Sequence, residues 1–343
     1  MPAEVETMFY YNEVPWHGQG TKVDHVLTAA EAITAAGLDW DVATVPIYVN
    51  NVAGIKGYKK IDGKKAIARM SDGKVLGVLG DGYTPVQNRD AFNFFDDVVA
   101  TKEAKYHTAG SLQGGARVWL LAKLNGSGPI SIKGDAVDKY LLLMNGHDGK
   151  LALKMFFTPV RVVCMNTLMA AESGAARGTM FYSRHTEGIG GRIEHAREIL
   201  GITLKFYERF TEQATQLASL QLPAAQFPKL LTAAFAVPVK LLPGAGQTAG
   251  AKLASDVINF DDLSKRREEQ FATVQRLFEG EGKGLDVKGI KGTKWAAYNA
   301  VVEYVDYMKK YGGANPDDLR LKNTWFSRGA RIKQRAWDYL IKK

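Results

Sequence analysis

The sequence predicts an α+β fold, with an antiparallel β-sheet and crossing helices in the N-terminal half and a helical C-terminal half. Three observations predict it. Short β-rich runs fill the first half of the chain. Several of the joints between them are glycine and asparagine turns, too short for the crossover a parallel pair needs. From about residue 165 the apolar period lengthens to that of a helix. The chain accordingly divides into residues 1–187 and 188–343, with Gly/Pro-rich links at about 241–250 and 279–292.

Thr28-Ala29-Ala30-Glu31 is a capping box that opens an alanine-rich helix, and Gly37 closes it. Val42–Asn50 is β-rich. Asp62-Gly63 and Asp72-Gly73 are turn dipeptides of two hairpins, with strands at Lys65–Ser71 and Lys74–Gly80. Asn88 is placed to cap a helix over Arg89–Ala100, where Phe92, Phe95, Val98 and Val99 recur at helical spacing. Strands are expected at about 105–112, 116–124, 138–145, 150–157 and 160–164. Gly114-Gly115, Asn125-Gly126 and Asn145–Gly149 join several of them. A helical turn at Met165–Glu172 and a last strand at Thr179–Arg184 complete this half. A long helix over Ile189–Leu220 then carries Ile193, Ala196, Leu200, Leu204 and Tyr207 on one stripe. Beyond it, Pro223, Pro228, Pro238 and Pro243 break the helical pattern. Helices return at about Asp261–Glu279, Lys294–Tyr311 and Ser327–Ile341.

Composition bounds the function. Hydrophobic residues at 46% and charged residues at 24% are ordinary for a chain with a buried core. No run of about 18 apolar residues occurs, so no membrane contact is expected. The first ten residues lack the pattern of a secretory signal. The lone cysteine, Cys164, lies in the apolar run VRVVCMN and reads as a core residue in a reducing cytoplasm. The net charge of +9 favours polyanionic partners.

Motifs for chemistry are sparse. The six histidines show no metal-binding helical spacing, and the adjacent pairs Arg184-His185 and Glu194-His195 read as solvated. Gly280-Glu281-Gly282-Lys283-Gly284 imitates a phosphate loop but lacks the hydroxyl residue after its lysine. Asp96-Asp97 and Asp261-Asp262 are acidic pairs near helix ends. A metal-dependent nuclease would need carboxylates to converge, and Asp96, Asp97, Asp135 and Glu172 show no recognisable spacing for it. No catalytic residue, metal ligand or cofactor is therefore assigned.

The basic segments say more. Lys56, Lys59, Lys60, Lys64, Lys65, Arg69 and Lys74 crowd one hairpin region, with Tyr58 among them. Such a ribbon either follows a phosphate backbone while stacking a base, or is a lysine-protected sheet edge. From residue 320 onward eight bases face a single acid, Asp338, with Trp325, Phe326, Trp337 and Tyr339 interleaved. At helical spacing Arg328, Arg331 and Arg335 form a basic stripe, while Ile332, Ala336, Tyr339 and Leu340 can share a buried face. The stripe is either a solvated face or a phosphate-tracking one. Arg161, in an apolar β run, is either paired inside or lines a groove.

Four stretches carry a resemblance: Val14-Pro15-Trp16-His17-Gly18-Gln19-Gly20-Thr21, Tyr83-Thr84-Pro85-Val86-Gln87-Asn88, Thr158–Leu168 and Gly292–Ala300. Together, across nearly the whole chain, they resemble the phage/plasmid-like protein family, a domain of unknown function carried by phages, plasmids and integrative elements. Gln19 stands where that family usually has leucine. A remoter resemblance, by fold analogy, is to single-strand annealing proteins of the RecT/Red-beta type. The resemblance implies a cytoplasmic, single-stranded DNA-binding and strand-annealing recombination protein of a phage or mobile element. It would work through a basic groove, as a ring or filament of copies, beside host or phage replication and recombination proteins. The binding residues would be Lys56, Tyr58, Lys59, Lys60, Lys64, Lys65, Arg69, Arg161, Arg328, Arg331 and Arg335. The alternatives are a phage module that binds host machinery or defence proteins, and a metal-dependent DNA-processing enzyme.

Overall fold

The computed structural model describes residues 5–11, 20–50, 54, 56–93, 104–124, 128–161, 166–167, 180–187, 203–236, 265–311, 320, 323–324 and 328–342. Trp16-His17-Gly18, Asp96-Asp97, Asn125-Gly126, Cys164, Glu172, His195, the 241–250 link, Asp261-Asp262, Trp325 and Phe326 lie outside the described residues.

The strands are β1 (Val5–Tyr11), β2 (Thr21–Val23), β3 (Val42–Asn50), β4 (Tyr58–Arg69), β5 (Val75–Gly80), β6 (Ala104–Leu112) and β7 (Arg117–Leu124). They continue with β8 (Ile130–Ile132), β9 (Asp135–Gly146), β10 (Leu153–Arg161), β11 (Asn166–Thr167) and β12 (Met180–Ser183). The larger sheet runs β11-β10-β9-β7-β6-β1-β2, with β12 also on β10 and β8 also on β9. Every ladder in it is antiparallel except β1 with β2. The smaller sheet, β3-β4-β5, is antiparallel throughout. The α+β expectation holds, with helices filling the C-terminal half.

Local chemistry explains several elements. Helix α1 (Ala29–Ala35) has the full capping box: the Glu31 amide donates to Thr28 Oγ1, and Glu31 Oε2 accepts from the Thr28 amide at 2.8 Å. Asp72-Gly73 turns β4 into β5, as its dipeptide predicts. Asp62-Gly63 does not make a hairpin turn. It lies inside β4, where Ile61–Lys64 stand opposite Ile47 alone and Gly63 takes φ +70°. The long pairing of β4 with β3 outweighs a local turn preference. The strands expected at 150–157 and 160–164 are one strand, β10, over Leu153–Arg161, and Pro159 falls between its stretches paired to β12 and β11. Asn166 and Thr167 pair back onto β10 instead of opening a helical turn. Strand β1, which local sequence does not announce, is recruited by β6; Met8 sits opposite Gly110.

The helices are α1, then α2 (Thr203–Ser219), α3 (Phe227–Phe235), α4 (Lys265–Arg276), α5 (Lys294–Glu303) and α6 (Arg328–Ile341), with π-helical turns at Leu277–Glu281 and Tyr304–Met308. Residues 88–93 are also helical. Pro228 does not break the chain but sits in the first turn of α3, where its missing N–H is harmless. Among the described residues no helix is long and apolar enough to cross a membrane.

One apolar core joins the two halves. Phe157 of β10 packs on Phe206 and Tyr207 of α2, each ring at 5.6 Å. The Tyr207 hydroxyl donates to the Tyr140 carbonyl at 2.8 Å. Trp295 Nε1 of α5 donates to Asp135 Oδ2 of β9 at 2.7 Å. Helix α5 is buried on every side, so it forms the centre of the helical layer. The 279–292 link is part of this packing, since Ile290 is fully buried and its carbonyl accepts from Thr293 Oγ1.

Candidate functional site

The β3–β4 hairpin brings most of the first basic cluster together. Register sets Tyr48 opposite Lys60 and Asn50 opposite Tyr58. Tyr48, Tyr58 and Lys60 therefore share one face, with the two tyrosines diagonal neighbours. Tyr58 is 77% exposed and Tyr48 is 53% exposed. Lys56, Lys59, Lys60 and Lys64 are exposed, and none forms an ion pair with a described residue. Lys59 and Lys64 fall on the opposite face from Lys60, so the ribbon is basic on both sides. Lys65 is half-buried and donates to the Asp81 carbonyl at 2.7 Å.

Arg69 leaves this surface. It is buried, and its two terminal nitrogens donate to Glu6 at 2.7 and 2.8 Å while Nε donates to Asp72 at 3.0 Å. Its guanidinium also lies 5.3 Å from the Trp40 ring centre. The Arg69 bonds hold the Asp72 carboxyl down at about 2. Arg69 thus anchors the base of the ribbon, where a phosphate would have to compete with two carboxylates.

On α6, Arg328 and Arg331 are exposed and Arg335 is half-buried, at the spacing expected of one stripe. The packed side holds Ile332, Ala336, Trp337 and Leu340, and with them Lys333. Lys333 is fully buried, and its Nζ donates to Asp306 Oδ1 at 3.0 Å. The signal for this was present in the sequence: Lys333 lies at helical spacing from Gly329, Ala336 and Leu340. Arg161 ends β10, its backbone opposite Val137 and Asn166.

The motif Tyr83–Asn88 proves to be the hub of a buried polar cluster. The Tyr83 hydroxyl donates to the Gly146 carbonyl at 2.7 Å, and its ring stacks on His185 at 4.9 Å. The Thr84 amide donates to the His185 carbonyl, and Asn145 Nδ2 to the Val86 carbonyl. The Gln87 side chain both donates to and accepts from the Val42 main chain, fixing the start of β3. Asn88 is buried, and its helix already includes it, so it does not cap that helix. Its Nδ2 donates to the Leu38 carbonyl at 3.0 Å, and its Oδ1 lies 3.1 Å from His147 Nε2. Trp40 meets His147 edge-on at 5.5 Å. Burial pushes His147 down to about 3 and His185 down to about 4, so both imidazoles are neutral at physiological pH. His185 is therefore a core residue and not the solvated one its neighbour Arg184 suggests.

Among the described residues no group of His, Cys, Asp and Glu is placed to hold a metal ion. Asp135 is fully buried and accepts from Trp295. The Lys283 amide of the glycine-rich loop donates to Glu303 Oε2 at 3.0 Å, so the chain's own carboxylate takes the place an outside anion would occupy.

No curated protein and no solved structure matches the chain. One family model does match, over residues 75–337, from the first residue of β5 to Trp337 in α6. That span contains the motif hub, both buried histidines and the helical layer, and it begins just after the basic ribbon. The chain therefore belongs to the family described as a domain of unknown function, DUF932.

Proposed function

We propose that the protein binds single-stranded nucleic acid through the β3–β4 ribbon and promotes strand annealing without covalent chemistry. The observation that carries this reading is the exposed face with Tyr48, Tyr58 and Lys60, near Lys56; no described carboxylate neutralises these lysines, and Lys59 and Lys64 add positive charge from the opposite face. Two exposed aromatic rings on a basic ribbon offer stacking for bases and charge for phosphates. A duplex hides its base faces, so the tyrosines favour a single strand. Arg328 and Arg331 add a second exposed basic stripe. The sequence resemblance to mobile-element proteins and to RecT/Red-beta annealing proteins gives the reading its context: recombination in a phage-bearing or plasmid-bearing cell, with several copies along one strand.

Fluorescence anisotropy with labelled single- and double-stranded oligonucleotides, at increasing salt, tests it. The expected result is single-strand preference with affinity that falls steeply as salt rises. Tyr48→Ala with Tyr58→Ala is expected to weaken binding roughly tenfold or more, at about 1–3 kcal/mol per stacked base. Absence of binding at low salt, or binding indifferent to salt, overturns the proposal.

A further inference from the structure

The three-stranded sheet has a second face, turned away from the core. Its inward face buries Ile67 and brings Gly77 against Asp148. Strand alternation puts Val45, Ile47 and Val49 of β3, Ala66 of β4, and Val75 and Val78 of β5 on the outward side. Val75 and Val78 are each 56% exposed, and Met70, just past β4, is 59% exposed. An apolar strip of this kind marks a contact surface.

Strand alternation places three charges on this face. Lys59 sits near the ribbon tip, and Lys64 lies on the tip side of the valines, opposite Gly80 at the end of β5. Asp41 sits at the other end, where the Met70 amide donates to the Asp41 carbonyl and extends the β3–β4 register by one pair. All three side chains are exposed. The face is thus basic at one end, acidic at the other and apolar between. A copy turned end for end is its complement, with Asp41 laid over the other copy's Lys59 and Lys64 and valines meeting valines. A wholly acidic partner would satisfy the lysines but leave Asp41 opposed by like charge.

We propose that two copies of this chain pack these outward sheet faces together about a two-fold axis, strands antiparallel between copies. Such a contact is isologous and closes at two copies. The sheets would lie about 10 Å apart, as packed sheets do. Tyr48, Tyr58 and Lys60 point to the other side and stay open. The pairing stands whether or not the ribbon binds nucleic acid, so it is measured without nucleic acid.

Sedimentation velocity of the full chain over a wide concentration range tests it. The expected species has twice the 37.6 kDa chain mass. Val78→Asp, an exposed position whose folding is checked by circular dichroism, is expected to give monomer. Asp41→Lys is expected to raise the dimer Kd about tenfold, or about 1.4 kcal/mol. Adding Lys59→Asp and Lys64→Asp to Asp41→Lys is expected to restore dimer. A monomer at every concentration, an assembly larger than two, a dimer indifferent to Val78→Asp, or failure of the charge reversal to rescue overturns the proposal.

Discussion

Lys333 and Asp306 form an ion pair with almost no access to water. Burial lowers the Lys333 pKa, and the adjacent Asp306 carboxylate opposes that shift. Removing one partner takes a charge-assisted hydrogen bond from a charge that stays in the core. Lys333→Met is therefore expected to cost about 3–5 kcal/mol in urea unfolding, and adding Asp306→Leu is expected to recover much of it. An equal loss in the single and double variants would contradict this. The histidines make a second test. His107 and His185 are pushed down to about 4 and His147 to about 3, in each case mainly by burial. In the unfolded chain each titrates at ~6.5. Between those values the unfolded chain binds more protons than the folded one. Their contribution to stability is complete above pH ~6.5 and declines as pH falls toward 4. The urea midpoint should fall steadily from pH 7 to pH 4.5, and a flat profile across that window would refute the assignment.

The elements depend on close approaches that a side-chain pattern does not announce. At Gly110 an added Cβ would lie 2.5 Å from the Thr7 carbonyl oxygen and 2.7 Å from the Trp119 ring. Gly110→Ala should push β1 away from β6 and cost roughly 1–3 kcal/mol as an overpacked site. Amide exchange would read it as loss of protection confined to β1 and its neighbour. This dependence also explains what the sequence could reveal. The capping box at Thr28, the Asp72-Gly73 turn and the strands β6, β7 and β9 were legible because their signals are local. Asp62-Gly63 carries the same local signal as Asp72-Gly73, yet pairing along β4 overrides it. The lysine cluster was legible as a cluster, but its division between two faces comes from register, and the loss of Arg69 to Glu6 comes from tertiary contact. The histidine cluster was hidden because His147 and His185 meet only through the sheet and the Tyr83–Asn88 hub.

For the whole molecule, the sequence divides at residue 187 but the core does not. Leu141 and Phe157 of the sheet, and Phe206, Phe210 and Trp295 of the helical layer, belong to one buried cluster. A fragment of residues 1–187 would expose that sheet surface and lose the Trp295 bond to Asp135. It is expected to lack near-ultraviolet circular dichroism and to aggregate; a cooperative unfolding transition from the fragment would show instead that the sheet stands alone.

The pairing of β1 with β6 has a consequence for how the chain is made. Thr108 Oγ1 donates to the Phe9 carbonyl across a separation of 99 residues. At synthesis rates of about 5–20 residues per second, β1 leaves the ribosome several seconds before its partner exists. The Asp135–Trp295 bond spans a further 160 residues. Strand β1 must wait for residues about a hundred positions later, and β9 in turn for α5. Contacts this distant slow the search for the native state. Refolding should be correspondingly slow, and nascent β1 is a segment that needs protection until β6 is made.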